Sequence, residues 1–160
     1  MDEDYMRLAL EQASAAAGAD EVPVGAVIVR EGLIMGQGYN RNIGDRDPSA
    51  HAEIVALREA CAYSDNYRLS GATIYVTLEP CLMCFTALIH ARIQRLVYGA
   101  TDHKSGYNVF LDSADLEKYN HTMEIVPGIL ENACVNVIQD FFRNKRERGK
   151  RKWMRHKKDL

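Results

Sequence analysis

Four residues stand out by type and spacing: His51, Glu53, Cys81 and Cys84, in the segments His51-Ala52-Glu53 and Pro80-Cys81-Leu82-Met83-Cys84. They offer one imidazole, one carboxylate and two thiols. Zinc takes nitrogen and sulfur donors, and a catalytic zinc site keeps one position open for water. His51, Cys81 and Cys84 make three donors, which leaves that position free. Glu53 is not needed to complete the set and is available to move protons. A thiol pair at this spacing also suits a redox motif or half of a closed structural zinc site. A redox pair has no use for His51 or Glu53. A closed site needs a fourth donor, and the remaining cysteines, Cys61 and Cys134, fall in helical apolar patterns that read as core.

The elements that must position these groups follow from the pattern around them. His51 and Glu53 are two apart, so they cannot share a face inside a helix. They can converge in a first turn, and Asp47-Pro48-Ser49 reads as a helix start, with the helix running to about Tyr63. Thr73–Leu78 is a strong strand signal, and Pro80 ends it. A helix from Cys81 to His90 then puts both thiols at a helix N-terminus, where the positive end of the dipole favours thiolates. Upstream, apolar spacing predicts a helix over 3–17. Ala26–Arg30 and Leu33–Tyr39 read as a hairpin around Glu31-Gly32, and Gly25, Gly36 and Gly38 leave its backbone open to close approach. Residues 40–48 read as loop. Downstream come a strand at 95–99, a loop at 101–110, a short helix at 113–119, a strand at 123–126 and a helix from Ile129 to about Lys145. Strands alternating with helices indicate one layered α/β domain with a largely parallel second half.

Composition fits that reading. With 160 residues, 47% hydrophobic and 26% charged, the chain suits one domain with a real core. The aliphatic run Ala26–Val29 is too short to span a bilayer. Met1-Asp2-Glu3-Asp4 lacks the positive region of a signal peptide. The net charge of −2 is unevenly spread. Residues 1–142 hold 10 Lys+Arg against 20 Asp+Glu, and residues 143–160 hold 10 against 2. This split suggests an acidic body with a basic arm for an anionic partner, against the plainer reading of a solvated C-terminus. The domain is read as residues 1–146 and the basic C-terminal arm as 147–160, where Trp153 suits stacking on a base or a disordered end.

His-Ala-Glu followed by Pro-Cys-x-x-Cys resembles the signature of zinc-dependent nucleobase deaminases. The likeness extends over residues 6–146 through Glu21-Val22-Pro23-Val24-Gly25-Ala26, Asn40-Arg41, Asp47-Pro48, Asn66-Tyr67-Arg68-Leu69, Tyr75-Val76-Thr77-Leu78-Glu79-Pro80 and Asp140-Phe141-Phe142-Arg143. These blocks are similar to bacterial tRNA-specific adenosine deaminases. The resemblance implies a three-layer α/β/α cytidine-deaminase-like sandwich with a central five-stranded mixed sheet. It implies one Zn2+ per subunit on His51, Cys81 and Cys84, with Glu53 as the catalytic proton carrier. The implied reaction is hydrolysis of adenosine to inosine at the wobble position of a tRNA anticodon loop, by a cytoplasmic homodimer without a membrane segment. Asn40 would contact the flipped base, with Val24 and the backbone near Ala52 shaping its pocket. Lys104, Phe142, Arg143, Lys145 and Arg146 are the candidates for contacts with RNA. The zinc motif alone equally fits a deaminase of a free base or nucleotide such as guanine or deoxycytidylate. The chain departs from the family at Phe85-Thr86 and Tyr107-Asn108-Val109-Phe110, where small residues are usual. Both departures are expected to alter how the anticodon loop is held.

Overall fold

The computed structural model describes the backbone of residues 1–158 and the side chains of residues 1–150. In chain order the elements are α1 (Asp2–Gly18), β1 (Gly25–Arg30), β2 (Leu33–Tyr39), the single turn α2 (Asn42–Asp45), α3 (Ala52–Ser64), β3 (Thr73–Leu78), α4 (Leu82–His90), β4 (Arg95–Ala100), a 3-10 turn (Tyr107–Val109), α5 (Ser113–Leu116), β5 (Glu124–Val126) and α6 (Glu131–Lys158). The five strands form one sheet in the order β2-β1-β3-β4-β5. β1 runs antiparallel to both β2 and β3, and β3, β4 and β5 are mutually parallel. The sheet is therefore mixed, with the expected parallel second half.

Period-two alternation divides the strand residues between two cores. Ala26, Ile28, Ile74, Val76, Leu96 and Tyr98 face α3 and α4. Val27, Val29, Tyr75 and Val97 face α1 and α6. Helices thus cover both faces, which makes the three-layer sandwich. The β1–β2 hairpin turns at Glu31 and Gly32, whose φ angles of 53° and 80° give the left-handed pair that a tight two-residue hairpin needs. Two glycines set the layer spacing. A Cβ at Gly25 would lie 2.0 Å from the Ala9 carbonyl of α1, and one at Gly36 would lie 2.4 Å from the Ala56 carbonyl of α3. Ala9, Ala13 and Ala16 on α1, and Ala52, Ala56 and Ala60 on α3, are the small residues that allow this approach.

Three expectations need correction. Residues 40–48 are not all loop: the Glu21 carboxylate accepts from the Ile43 and Gly44 N–H groups at 2.8 Å each and so holds the α2 turn from a distance. α3 begins at Ala52 rather than near Pro48. Asp47 bonds the N–H and hydroxyl of Ser49, which makes a turn ahead of the helix. α6 does not stop near Lys145 but runs to Lys158, so the basic arm continues this helix over its described residues, 147–158. Apolar periodicity ends at Phe142, but Lys, Arg and Glu are good helix formers and cations suit a helix C-terminus. The side chain of Trp153 lies outside the described residues.

α1 is tied to the sheet through Asp2. Arg95 donates to both Asp2 oxygens at 2.8 Å, and the Tyr75 hydroxyl donates to one of them at 2.9 Å. The Arg95 hydrogen bonds hold the Asp2 carboxyl below its usual range. A depressed folded-state value means that the stabilisation is complete above the unfolded value of about 3.9 and is lost as pH falls through the folded one. Asp2→Asn is expected to cost about 1–3 kcal/mol at neutral pH. Urea unfolding across a pH series should show the difference between the two proteins fading below about pH 4.

Candidate active site

His51 and Cys81 occupy equivalent positions in the fold. Each has extended backbone angles and directly precedes a helix, His51 before α3 and Cys81 before α4. Cys84 follows within the first turn of α4. Two helix N-termini therefore meet at one point, and both direct partial positive charge there. His51 Nδ1 lies 3.6 Å from Cys81 Sγ and 3.5 Å from Cys84 Sγ. The three donor atoms lie within 4.8 Å of one another. In a tetrahedral zinc site, bond lengths of about 2.3 Å to sulfur and 2.05 Å to nitrogen put those atoms about 3.6 Å apart. The donor set thus has the chemistry and the spacing of a zinc cradle. Among the described residues this is the one such cluster of three or more. Cys61 and Cys134 are not in it; Cys134 is buried where α6 crosses Gly99.

Without a metal the two thiols divide their protons unequally. The hydrogen bond from Cys84, then that from His51, pulls Cys81 down to about 4. The hydrogen bond to Cys81, together with burial, pushes Cys84 up, and the Cys81 hydrogen bond raises His51. Glu53, in the first turn of α3, is 3% exposed, and burial raises its carboxyl to about 7. A carboxyl with that value both accepts and releases protons at neutral pH.

These groups open into a cavity of about 650 Å³ whose wall includes His51, Glu53 and Cys81. That volume suits a nucleoside-sized occupant. Asn40 and Val24 lie in the wall together, since the Asn40 N–H donates to the Val24 carbonyl at 3.2 Å. Asn40 Oδ1 accepts from the Ala52 N–H at 2.9 Å. Ala52 is fully buried behind the wall, and its part is to hold Asn40. Lys104 and Phe142 also line the cavity, and Phe142 is 40% exposed while its neighbour Phe141 packs into the core. The other basic candidates lie outside the lining. Arg143 pairs with Asp140, Lys145 lies over the Phe141 ring and reaches Asp20, and Arg146 is exposed one turn beyond Phe142.

Sequence reasoning missed much of the wall. Val135, Ile138 and Gln139 of α6 join Phe142 at helical spacing to form one side of the cavity. Thr101, Asp102 and Ser105 form another part, held by Glu79. Glu79 did carry a signal: it is an acid at the end of an apolar strand with no basic residue nearby in sequence.

Residues 1–146 match the family model of MafB19-like deaminases, which sets the class of the chain as a deaminase. A tRNA-specific adenosine deaminase of Haemophilus influenzae is 46% identical over 155 residues, covering 93% of this chain and 87% of the relative. A structure from a study of A-to-I editing by tRNA:A34 deaminases superposes with a TM-score of 0.77 at 40% identity, covering 84% of this chain and 98% of the other. A guanine deaminase from Nitrosomonas europaea also superposes with a TM-score of 0.77, at 27% identity over 87% of this chain and 83% of its own. The chain belongs to the tRNA-specific adenosine deaminases.

The thiol chemistry gives a prediction for the metal-free protein. Iodoacetamide at pH 6 should modify Cys81 ahead of Cys61, whose thiol is pushed up by burial. The lead should shrink as pH rises, because thiolate fraction rather than intrinsic nucleophilicity favours Cys81. Added zinc should suppress Cys81 labelling; peptide mass spectrometry reads all three outcomes.

Proposed function

We propose that this protein is a zinc-dependent hydrolase that converts the wobble adenosine of a tRNA anticodon loop to inosine. The observation that carries this reading is the three-donor cradle with a buried carboxyl beside it, in a chain 46% identical to a tRNA-specific adenosine deaminase. His51, Cys81 and Cys84 would hold the zinc. When bound, zinc supplies Lewis acidity that brings the pKa of water at its open position to about 7.

The protein's own groups do the rest. Glu53 takes a proton from the attacking water and delivers it to N1 of the purine. It then carries the second proton to the leaving amine, so that water and adenosine become inosine and ammonia. Its burial keeps bulk water from competing for those protons. Asn40 has its oxygen turned to Ala52 and presents its amide hydrogens to the base edge, while Val24 packs beside it. A loop nucleotide is already unstacked, so placing it in the cavity costs less than flipping a base from a duplex.

The acidic body needs a basic surface to hold RNA. Lys104 at the cavity, and Arg143, Lys145 and Arg146 further along α6, supply one, and the sequence of residues 147–160 carries seven more Lys and Arg. Phe142 is placed to stack on a neighbouring base. The protein acts as a cytoplasmic homodimer; exposed Met83, Val109 and Phe110, on segments joined through the Phe85–Tyr107 stack, are surfaces that a second copy would cover. No helix among the described residues is long and apolar enough to cross a membrane. A free-base reaction such as guanine deamination is the second reading, supported by the equal superposition of the N. europaea enzyme.

Zinc-loaded protein incubated with a tRNA bearing wobble adenosine should yield inosine at that position, and turnover of free guanine with the tRNA left intact would reverse the ranking. Glu53→Ala should keep about one zinc per chain by metal analysis and lose about 100-fold or more in kcat. Removing residues 147–160 should weaken tRNA binding and flatten its salt dependence, since each lost phosphate contact removes about 0.7–0.9 from the log–log slope.

A further inference from the structure

Glu79 is a buried carboxylate that neither the metal donors nor the proton path uses. It is 2% exposed and sits between the end of β3 and Cys81. Its two oxygens accept from the two ends of one loop. Oε2 takes the Asp102 N–H and Oε1 takes the Asn108 N–H, each at 3.1 Å. Between them, Gly106 lies so close that a Cβ there would be 2.5 Å from Glu79 Oε1. The same loop is pinned again just past Glu79. The Tyr107 N–H donates to the Pro80 carbonyl at 2.9 Å, and Gly106 forms an isolated β-bridge with Cys81. The Tyr107 ring stacks on Phe85, with centroids 4.0 Å apart and planes 10° apart. Phe85 follows Cys84 directly, and both rings are buried. The span from Asp102 to Asn108 contains Asp102, Lys104 and Ser105, which line the cavity together with Thr101 just ahead of it.

We propose that Glu79 and the Phe85–Tyr107 stack form a positioning device that sets the 101–108 wall against the thiol pair and thereby determines how tightly the RNA around the reacting base is gripped. Glu79 is a positioning residue because it acts through the loop and not on the reacting atoms. Loop N–H groups ordinarily bond to water and leave the loop free to shift. Here they bond to an acceptor on the segment that supplies Cys81, so the wall and the metal donors share one anchor. Only a carboxylate offers two acceptor oxygens in this geometry. Glutamine has one, and its amide group would confront the second N–H with another donor.

The inference rests on the deaminase reading, and its test has one arm that does not. Glu79→Gln, Tyr107→Leu and the double variant are compared with the parent by amide exchange of the zinc-loaded protein and by steady-state kinetics on an anticodon stem-loop RNA. In Glu79→Gln the Asp102 and Asn108 amides should exchange about tenfold faster or more. KM should rise about tenfold with kcat within about threefold and about one zinc still bound per chain. The double variant should be little worse than the more affected single, because both changes release the same loop. Unchanged exchange at Asp102 and Asn108 would overturn the proposal. So would a fall in kcat and zinc content at constant KM, which would make Glu79 a support of the metal site, or independent effects of the two substitutions. If Glu79→Gln does not fold, Tyr107→Leu decides by the same two readouts. If the parent protein leaves the RNA unreacted, the tRNA-substrate reading fails, while exchange still decides the anchoring and stem-loop titration decides the grip.

Discussion

The convergence of two helix starts on three donor atoms is the constraint that organises this molecule. A donor residue at the position preceding a helix has extended backbone, so its side chain can turn back over the helix end. His51 and Cys81 both sit there. The chain must therefore bring the beginnings of α3 and α4 together to within a few ångströms. It does so by packing both helices into the core on the same face of the sheet, with α3 against β1 and β2 and α4 against α3. An error of an ångström in either helix would spoil the spacing that a small cation requires.

Packing with little side-chain bulk supplies that precision at one of the two helices. Gly36 of β2 faces the Ala56 backbone of α3, and α1 meets Gly25 in the same way on the opposite face. Contacts of backbone against backbone leave few rotamers to adjust, so the layers have little play. The hairpin that contributes these glycines ends at Tyr39, one residue before Asn40. The close packing that fixes α3 thus also fixes the side of the cavity that Asn40 lines. On the far side α6 closes the wall with a stripe of Val135, Ile138, Gln139 and Phe142.

Local patterns made the chemistry legible in the sequence, while its surroundings were less so. His51, Glu53, Cys81 and Cys84 lie in two short segments whose residue types have few other uses together, and Pro80 marks the helix that presents the thiols. The strands were readable because alternation and apolar runs are local signals. Glu79 stood out as an acid ending an apolar strand, but its partners were hidden, since Asp102 and Asn108 lie more than 20 positions away and offer backbone groups, which any sequence supplies. The α2 turn was hidden for the same reason, because Glu21 holds it across a comparable gap. The end of α6 was misplaced because apolar periodicity reports burial and not helicity. Phe85 and Tyr107 read in the sequence as two separate departures from a family pattern. In the fold they are one stacked pair.

The hydrogen bond from the Ala52 N–H to Asn40 Oδ1 has a consequence for selectivity. It prevents the amide from flipping, because reversal would set donor against donor inside a buried site. The polarity offered to an occupant at that point belongs to the protein and cannot adapt to the guest. Under the role proposed for Asn40, a ring carrying a lone pair there would be accepted, and a ring of the same shape carrying a hydrogen would be refused. The discrimination needs no charge and no moving part.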